Sequence, residues 1–202
     1  MSDAPPRVAL GVSGGIAAYK AAEIVRGLRR GGADVHVLMT ENAQRFITPL
    51  TLETLSGHRV LSDPWERAEG SDIQHITLAR GLDLMLVAPA TADVLARMAH
   101  GLADDFLTTF HLAVTAPIVV APAMNVWMWE HAATRDNLRV LKDRGVAVID
   151  PVAGELACGE EGIGRMAEPE TIVAAVFDRL KKKARGPRGR LRGVPSKDAA
   201  SS

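Results

Sequence analysis

The sequence predicts an α/β protein, a three-layer doubly wound parallel sheet with helices on both faces. Short, almost uninterrupted apolar runs recur along the chain, and helical patterns separate them. Polar or glycine-rich segments follow each run, as expected where strand ends open onto a crevice.

The elements follow in order. Arg7–Val12 (RVALGV) reads as a buried strand, and Ile16–Arg30 as a helix stopped by Gly31-Gly32. Asp34–Met39 (DVHVLM) is the second strand. Leu82–Ala88 (LDLMLVA) is the third, with a helix over Thr91–His100. Pro117–Ala121 (PIVVA) and Val146–Ile149 (VAVI) complete the sheet, and further helices are expected over Asp105–Val114, Glu130–Arg144 and Glu168–Lys182. No internal repeat is visible. The folded domain is placed at residues 6–180.

The 202 residues are 47% hydrophobic and 24% charged, with a formal net charge of zero. No apolar run approaches the roughly 18 residues of a membrane span, and MSDAPPR lacks the features of a secretory signal. Cys158 is the only cysteine, so no intramolecular disulfide forms and a reducing, cytoplasmic compartment is expected. The charge is uneven: residues 179–202 carry +8 and the preceding 178 carry −8. Residues 181–202, rich in Gly, Pro and basic residues, are expected to be a disordered extension, with neither nucleic acid nor membrane as a partner.

Four segments could carry chemistry. Gly11-Val12-Ser13-Gly14-Gly15-Ile16 joins the first strand to its helix; glycines admit an anion close to backbone N–H groups, and Ser13 adds a hydroxyl. It matches neither the P-loop nor the dinucleotide fingerprint, and a tight strand–helix turn uses such glycines for structure alone. Ala121–Trp129 holds two of the three tryptophans and two of the seven methionines; Met128 and Trp129 read as core packing, and Asn125 as a carboxylate-binding amide or a helix cap. Gly154–Met166 has four glycines in eleven residues around Cys158, and reads as a mobile loop that closes over a ligand. His75 lies in a polar stretch, and its spacing does not single it out. Among the six histidines no pair has metal-ligand spacing, so no zinc site is expected.

Together these segments resemble the flavin-containing cysteine decarboxylase family over about residues 7–177, most closely its members that act on phosphopantothenoylcysteine. VSGGIAAYK looks like the family's FMN-phosphate turn, and APAMNVWMW fits its P-x-M-N-x-x-M-W signature. HITLAR carries the active-site histidine, and GELACGEEGIGRM looks like the substrate clamp with its cysteine. One segment departs. The flavin-contacting P-A-S-A-N-T appears here as Pro89-Ala90-Thr91-Ala92-Asp93-Val94. Asp93 accepts hydrogen bonds but cannot donate when ionised, and its charge would disfavour an anionic reduced flavin.

The resemblance implies a Rossmann-like, flavodoxin-like flavoprotein that oxidises and decarboxylates 4′-phosphopantothenoylcysteine, then reduces the product to 4′-phosphopantetheine, in coenzyme A biosynthesis. It implies FMN held by Ser13, Gly14, Gly15, Ile16, Thr40, Thr91, Ala92, Asp93 and Ala123. His75 is then the acid/base group, Asn125 the carboxylate holder and Cys158 the proton donor of the reduction, with Asn125, Met128 and Ala157 against the substrate. A homotrimer or homododecamer, and a synthetase partner domain or protein, are implied with it. The alternatives are a decarboxylase acting on a peptide's C-terminal cysteine and a non-catalytic flavin-binding regulatory subunit; His75, Asn125 and Cys158 together argue against the latter.

Overall fold

Alternation along the first strand decides how the sheet is covered. In β1 (Arg7–Val12), Val8, Leu10 and Val12 face one apolar layer and Ala9 faces the other, as the two-residue period of a strand requires. The computed structural model describes residues 4–63, 74–155, 159 and 161–185, with backbone alone at 74–76, 155 and 184–185. The chain continues through α1 (Ala21–Arg30), β2 (Asp34–Met39), α2 (Pro49–Ser56), α3 (Gln74–Arg80), β3 (Leu84–Ala90), α4 (Ala92–His100) and α5 (Phe106–Ala113). Then come β4 (Ile118–Pro122), α6 (Val126–Glu130), α7 (Ala132–Asp143), β5 (Ala147–Val148), β6 (Val152–Glu155), β7 (Glu161–Arg165) and α8 (Pro169–Arg185).

The main sheet is parallel, in the order β2-β1-β3-β4-β5. Ile24, Val25 and Leu28 of α1, Leu52 of α2, and Ile172 and Val176 of α8 cover one face. Ala79 of α3, Leu95 and Met98 of α4, Leu107 and Phe110 of α5, and Leu138 of α7 cover the other. The doubly wound sheet expected from the apolar runs is therefore the fold. Successive connections run outward to β2 and then back to β3, so the strand order reverses between β1 and β3. Crevices for ligands open at such a reversal. No described helix is long and apolar enough to cross a membrane.

Several boundaries differ from expectation, each for a local reason. The helix expected from Ile16 begins as a 3-10 turn (Ile16–Lys20) before α1. Strand β3 starts later than Leu82 because Asp83 caps the neighbouring strand, accepting from the Arg7 N–H at 3.0 Å. It also runs on through Pro89 to Ala90, which pairs with Pro122. His131 breaks the helix expected from Glu130, its Nδ1 accepting from the Ala133 N–H at 3.2 Å to start α7. The glycine-rich segment expected as a mobile loop forms an antiparallel hairpin, β6–β7. Helix α8 passes the expected boundary at residue 180, because Lys183 donates to the Leu82 and Asp83 carbonyls and to Asp83 Oδ1 at 3.0 Å. Residues 186–202, where the disordered tail was expected, lie outside the described residues.

Candidate active site

A groove of about 620 Å³ opens where β1, β3 and β4 end, with β7 as its outer wall. Its floor is fixed by Ser13, which is 1% exposed. The Ser13 hydroxyl donates to the Pro89 carbonyl at 2.7 Å and accepts from the Thr91 N–H at 3.1 Å. One side chain thus joins the ends of β1 and β3 across the point of reversal. Thr91 Oγ1 in turn accepts from the Val94 N–H at 3.3 Å and caps α4. Gly14 is required by crowding: a Cβ there would lie 2.5 Å from Asn42 Cβ and 2.7 Å from the Asn42 carbonyl carbon. A Cβ on Gly15 would meet only Thr91 Cγ2, at 3.6 Å, so its backbone stays open towards the groove.

The turn after β4 forms the opposite lip. The Ala123 N–H donates to the Ala90 carbonyl at 3.1 Å, and the Met124 N–H to the Gly164 carbonyl at 3.0 Å. A Cβ on Gly164 would sit 2.3 Å from the Met124 carbonyl oxygen, so this glycine lets the hairpin close onto the turn. Asn125 caps α6, its Oδ1 accepting from the Trp127 N–H at 2.8 Å. On the rim, Ile16 is 61%, Tyr19 59% and Met128 48% exposed. Two cations share one carboxylate at the wall: Lys20 Nζ donates to Glu168 Oε2 at 2.9 Å, and Arg165 Nη2 donates to Oε1. The hydrogen bonds from Lys20 and then Arg165 hold the Glu168 carboxyl below its ordinary range. Lys20, Arg165 and Glu168 together therefore carry one net positive charge.

The expected residues Gly14, Gly15, Ile16, Thr91, Ala123, Asn125 and Met128 all line this one groove. Met128 is there instead of in the core, because α6 buries none of its residues; Trp129 does pack against the core as expected. Ser13 lies beneath the lining, its one proton already given to Pro89. Thr40 is also inward, its Oγ1 accepting from the Ala43 N–H at 3.2 Å. Ala92 and Asp93 begin α4 and are not among the lining residues. Both Asp93 oxygens accept from Arg97 Nε, at 3.0 and 2.9 Å, so the charge that departs from the family pattern is paired within the helix with a cation that it shares with Asp104. His75 falls in the first turn of α3, with its side chain outside the described residues, as are Ala157 and Cys158.

Sequence reasoning missed Tyr19, Lys20, Met124 and Arg165 as lining residues. Lys20 was legible in principle, as the cation that ends VSGGIAAYK. A grouping of metal-ligand type, without the spacing of a zinc motif, also forms in the fold. His36 and His58 stack with centroids 4.3 Å apart beside Asp34, although they are distant in sequence.

A family model described as Flavoprotein matches residues 1–181. The chain belongs to the flavoprotein family. It is 51% identical over 173 residues to the coenzyme A biosynthesis bifunctional protein CoaBC of Escherichia coli, covering 86% of this chain and 43% of that protein. The chain thus spans less than half the length of such curated relatives. Among solved structures, a PPC decarboxylase mutant complexed with pantothenoylaminoethenethiol superposes with a TM-score of 0.80 at 33% identity, over 88% of this chain and 99% of that one. The FMN-dependent cysteine decarboxylase SpaF gives 0.77 at 31%, over 90% and 98%.

Proposed function

We propose that this flavoprotein binds FMN in the groove and decarboxylates 4′-phosphopantothenoylcysteine, giving 4′-phosphopantetheine for coenzyme A biosynthesis. The observation that carries the reading is the convergence of the Gly14–Ile16 turn and the Asn125 lip on one groove at the point of strand reversal. Its volume suits a cofactor-sized ligand. The open backbone at Gly15 and the first N–H groups of the following turn, which lack helical partners, suit a phosphate. The apolar rim of Ile16, Tyr19 and Met128 suits a flat aromatic ring system.

The chemistry that FMN supplies when bound is a reversible two-electron transfer, drawing electrons from the substrate CH₂–SH so that a thiocarbonyl can accept the pair left by CO₂, and restoring them afterwards. The chain's own residues do the rest. Asn125, fixed by its cap to α6, holds the substrate carboxylate at the lip. Lys20 and Arg165 supply the positive charge for an anionic group, with Glu168 keeping both side chains extended along the wall. Thr91, Ala123 and the Gly14–Ile16 turn are the direct cofactor contacts. Ser13, Thr40 and Ala92 act through the backbone they hold, and Asp93 through its pair with Arg97. His75 moves the protons of the thiol, and Cys158 protonates the product of decarboxylation during its reduction, with Ala157 against the substrate. A thiol with an ordinary pKa of about 8.5 is protonated at neutral pH yet able to donate.

A homotrimer or homododecamer, in a cytoplasmic setting, would cover the exposed rim residues. A synthetase domain or protein, as in the bifunctional relatives, would supply the substrate. A second reading is decarboxylation of a peptide's C-terminal cysteine, with which likeness to SpaF, an FMN-dependent cysteine decarboxylase, is compatible. The test is cofactor release with one variant. Purified protein is expected to be yellow and to release FMN, not FAD, on denaturation. His75→Asn is expected to keep the flavin and lose decarboxylation. Protein that cannot be reconstituted with FMN defeats the proposal, and normal turnover by His75→Asn removes His75 from it.

A further inference from the structure

At the edge of the sheet, far from the groove, three ligand-type side chains converge. Asp34 and His36 lie two residues apart on β2, so the strand period places them on one face. Asp34 pairs in register with Arg7, the first residue of β1, which puts the cluster at the amino ends of the strands, whereas the groove opens at their carboxyl ends. His58 arrives from a different segment. Gly57 ends α2 in the left-handed conformation, φ 77°, and turns the chain back towards β2. The His58 N–H then donates to Ser56 Oγ at 3.2 Å, which fixes that turn.

His58 Nε2 lies 2.7 Å from Asp34 Oδ1, and His36 Nε2 lies 3.2 Å from Asp34 Oδ2. The imidazoles are stacked with an interplanar angle of 19°. One donor atom from each residue lies within 4.8 Å of the others. We propose that Asp34, His36 and His58 bind one divalent late-transition-metal ion of zinc type, clipping the start of β2 to the segment that follows α2. Two imidazoles and one carboxylate are a borderline donor set suited to such ions, and three protein ligands leave positions for water. The ligands must be neutral imidazoles. The side chains are between 21% and 41% exposed, so an ion has a path in. Arg7 opposes the ion: its Nε lies 3.7 Å from Asp34 Oδ2, a loose and largely exposed pair that an ion would displace.

The test uses the tag-free 202-residue protein, stripped with EDTA and desalted, in wild-type, His58→Ala, His58→Gln and Cys158→Ala forms. Calorimetric titration with ZnCl₂ is expected to show one Zn²⁺ per chain in wild type and in Cys158→Ala. Melting should rise by about 5–10 °C at a metal concentration one hundred times Kd. Both His58 variants are expected to lose at least tenfold in affinity, together with that rise. CoCl₂ should give visible d–d bands without a thiolate charge-transfer band. Absent binding, binding unchanged in folded His58 variants, or binding lost in Cys158→Ala would overturn the assignment. This site is independent of the flavin groove, so its failure leaves the proposed function untouched.

Discussion

Ser13→Ala separates a structural from a cofactor-binding role for the first glycine turn. The hydroxyl makes two hydrogen bonds, to the Pro89 carbonyl and from the Thr91 N–H, and the residue is 1% exposed. Pro89 keeps the Ser13 N–H at 3.3 Å, so its carbonyl is not orphaned. The Thr91 N–H loses its partner. A lost net hydrogen bond of about 1 kcal/mol, plus at least about 1 kcal/mol for the stranded donor, gives about 2–3 kcal/mol of destabilisation. For a chain of this size that is a fall of about 4–12 °C in Tm. The assay is urea and thermal unfolding of the FMN-free protein, followed by flavin titration at low temperature. We expect the stability loss in the absence of any flavin, and only a modest loss of FMN affinity. Unchanged stability with a tenfold or larger loss of affinity would refute the reasoning, showing that the hydroxyl serves the phosphate directly.

Three further outcomes are expected. Gly164→Ala places a methyl 2.3 Å from the Met124 carbonyl oxygen and should lift β7 off the lip; stopped-flow or fluorescence titration should show weaker ligand binding, with a stability cost of about 1–3 kcal/mol. Cys158→Ser should still release CO₂ but accumulate a product two hydrogens lighter than 4′-phosphopantetheine, because an alcohol is a poorer acid than a thiol; mass spectrometry of the products decides it. His111 has a pKa lowered by burial and then by Arg144, and its Nδ1 is buried with no partner among the described residues. The unfolded chain therefore binds its proton first as pH falls, so stability is lost below about pH 6.5; thermal melts of His111→Leu should show a flatter dependence there than wild type.

The sheet was legible because a parallel strand buried on both faces leaves an unbroken apolar run, as in RVALGV and DVHVLM. Helix α2 was not, since PLTLETLS buries only Leu52 and Ser56 and shows little periodicity. The glycines of the β6–β7 hairpin were misread for a physical reason. Gly162 and Gly164 lack side chains because Val126 and Met124 press against them, which in sequence looks the same as flexibility. Within the groove, residues that follow a strand end were legible, because topology brings strand ends together. What Ser13 and Thr40 bond to was not, since each hydroxyl turns inward to a backbone partner that sequence does not specify. The meeting of His36 with His58 depends on the turn at Gly57 and has no signature in spacing.

One anaerobic incubation decides whether the chain decarboxylates 4′-phosphopantothenoylcysteine. The FMN-loaded protein is mixed in parallel with 4′-phosphopantothenoylcysteine and with a peptide ending in cysteine, and products are weighed by mass spectrometry. Loss of CO₂ from the first with formation of 4′-phosphopantetheine is expected, with no change in the peptide. Decarboxylation of the peptide alone, or of neither, would contradict the proposed function.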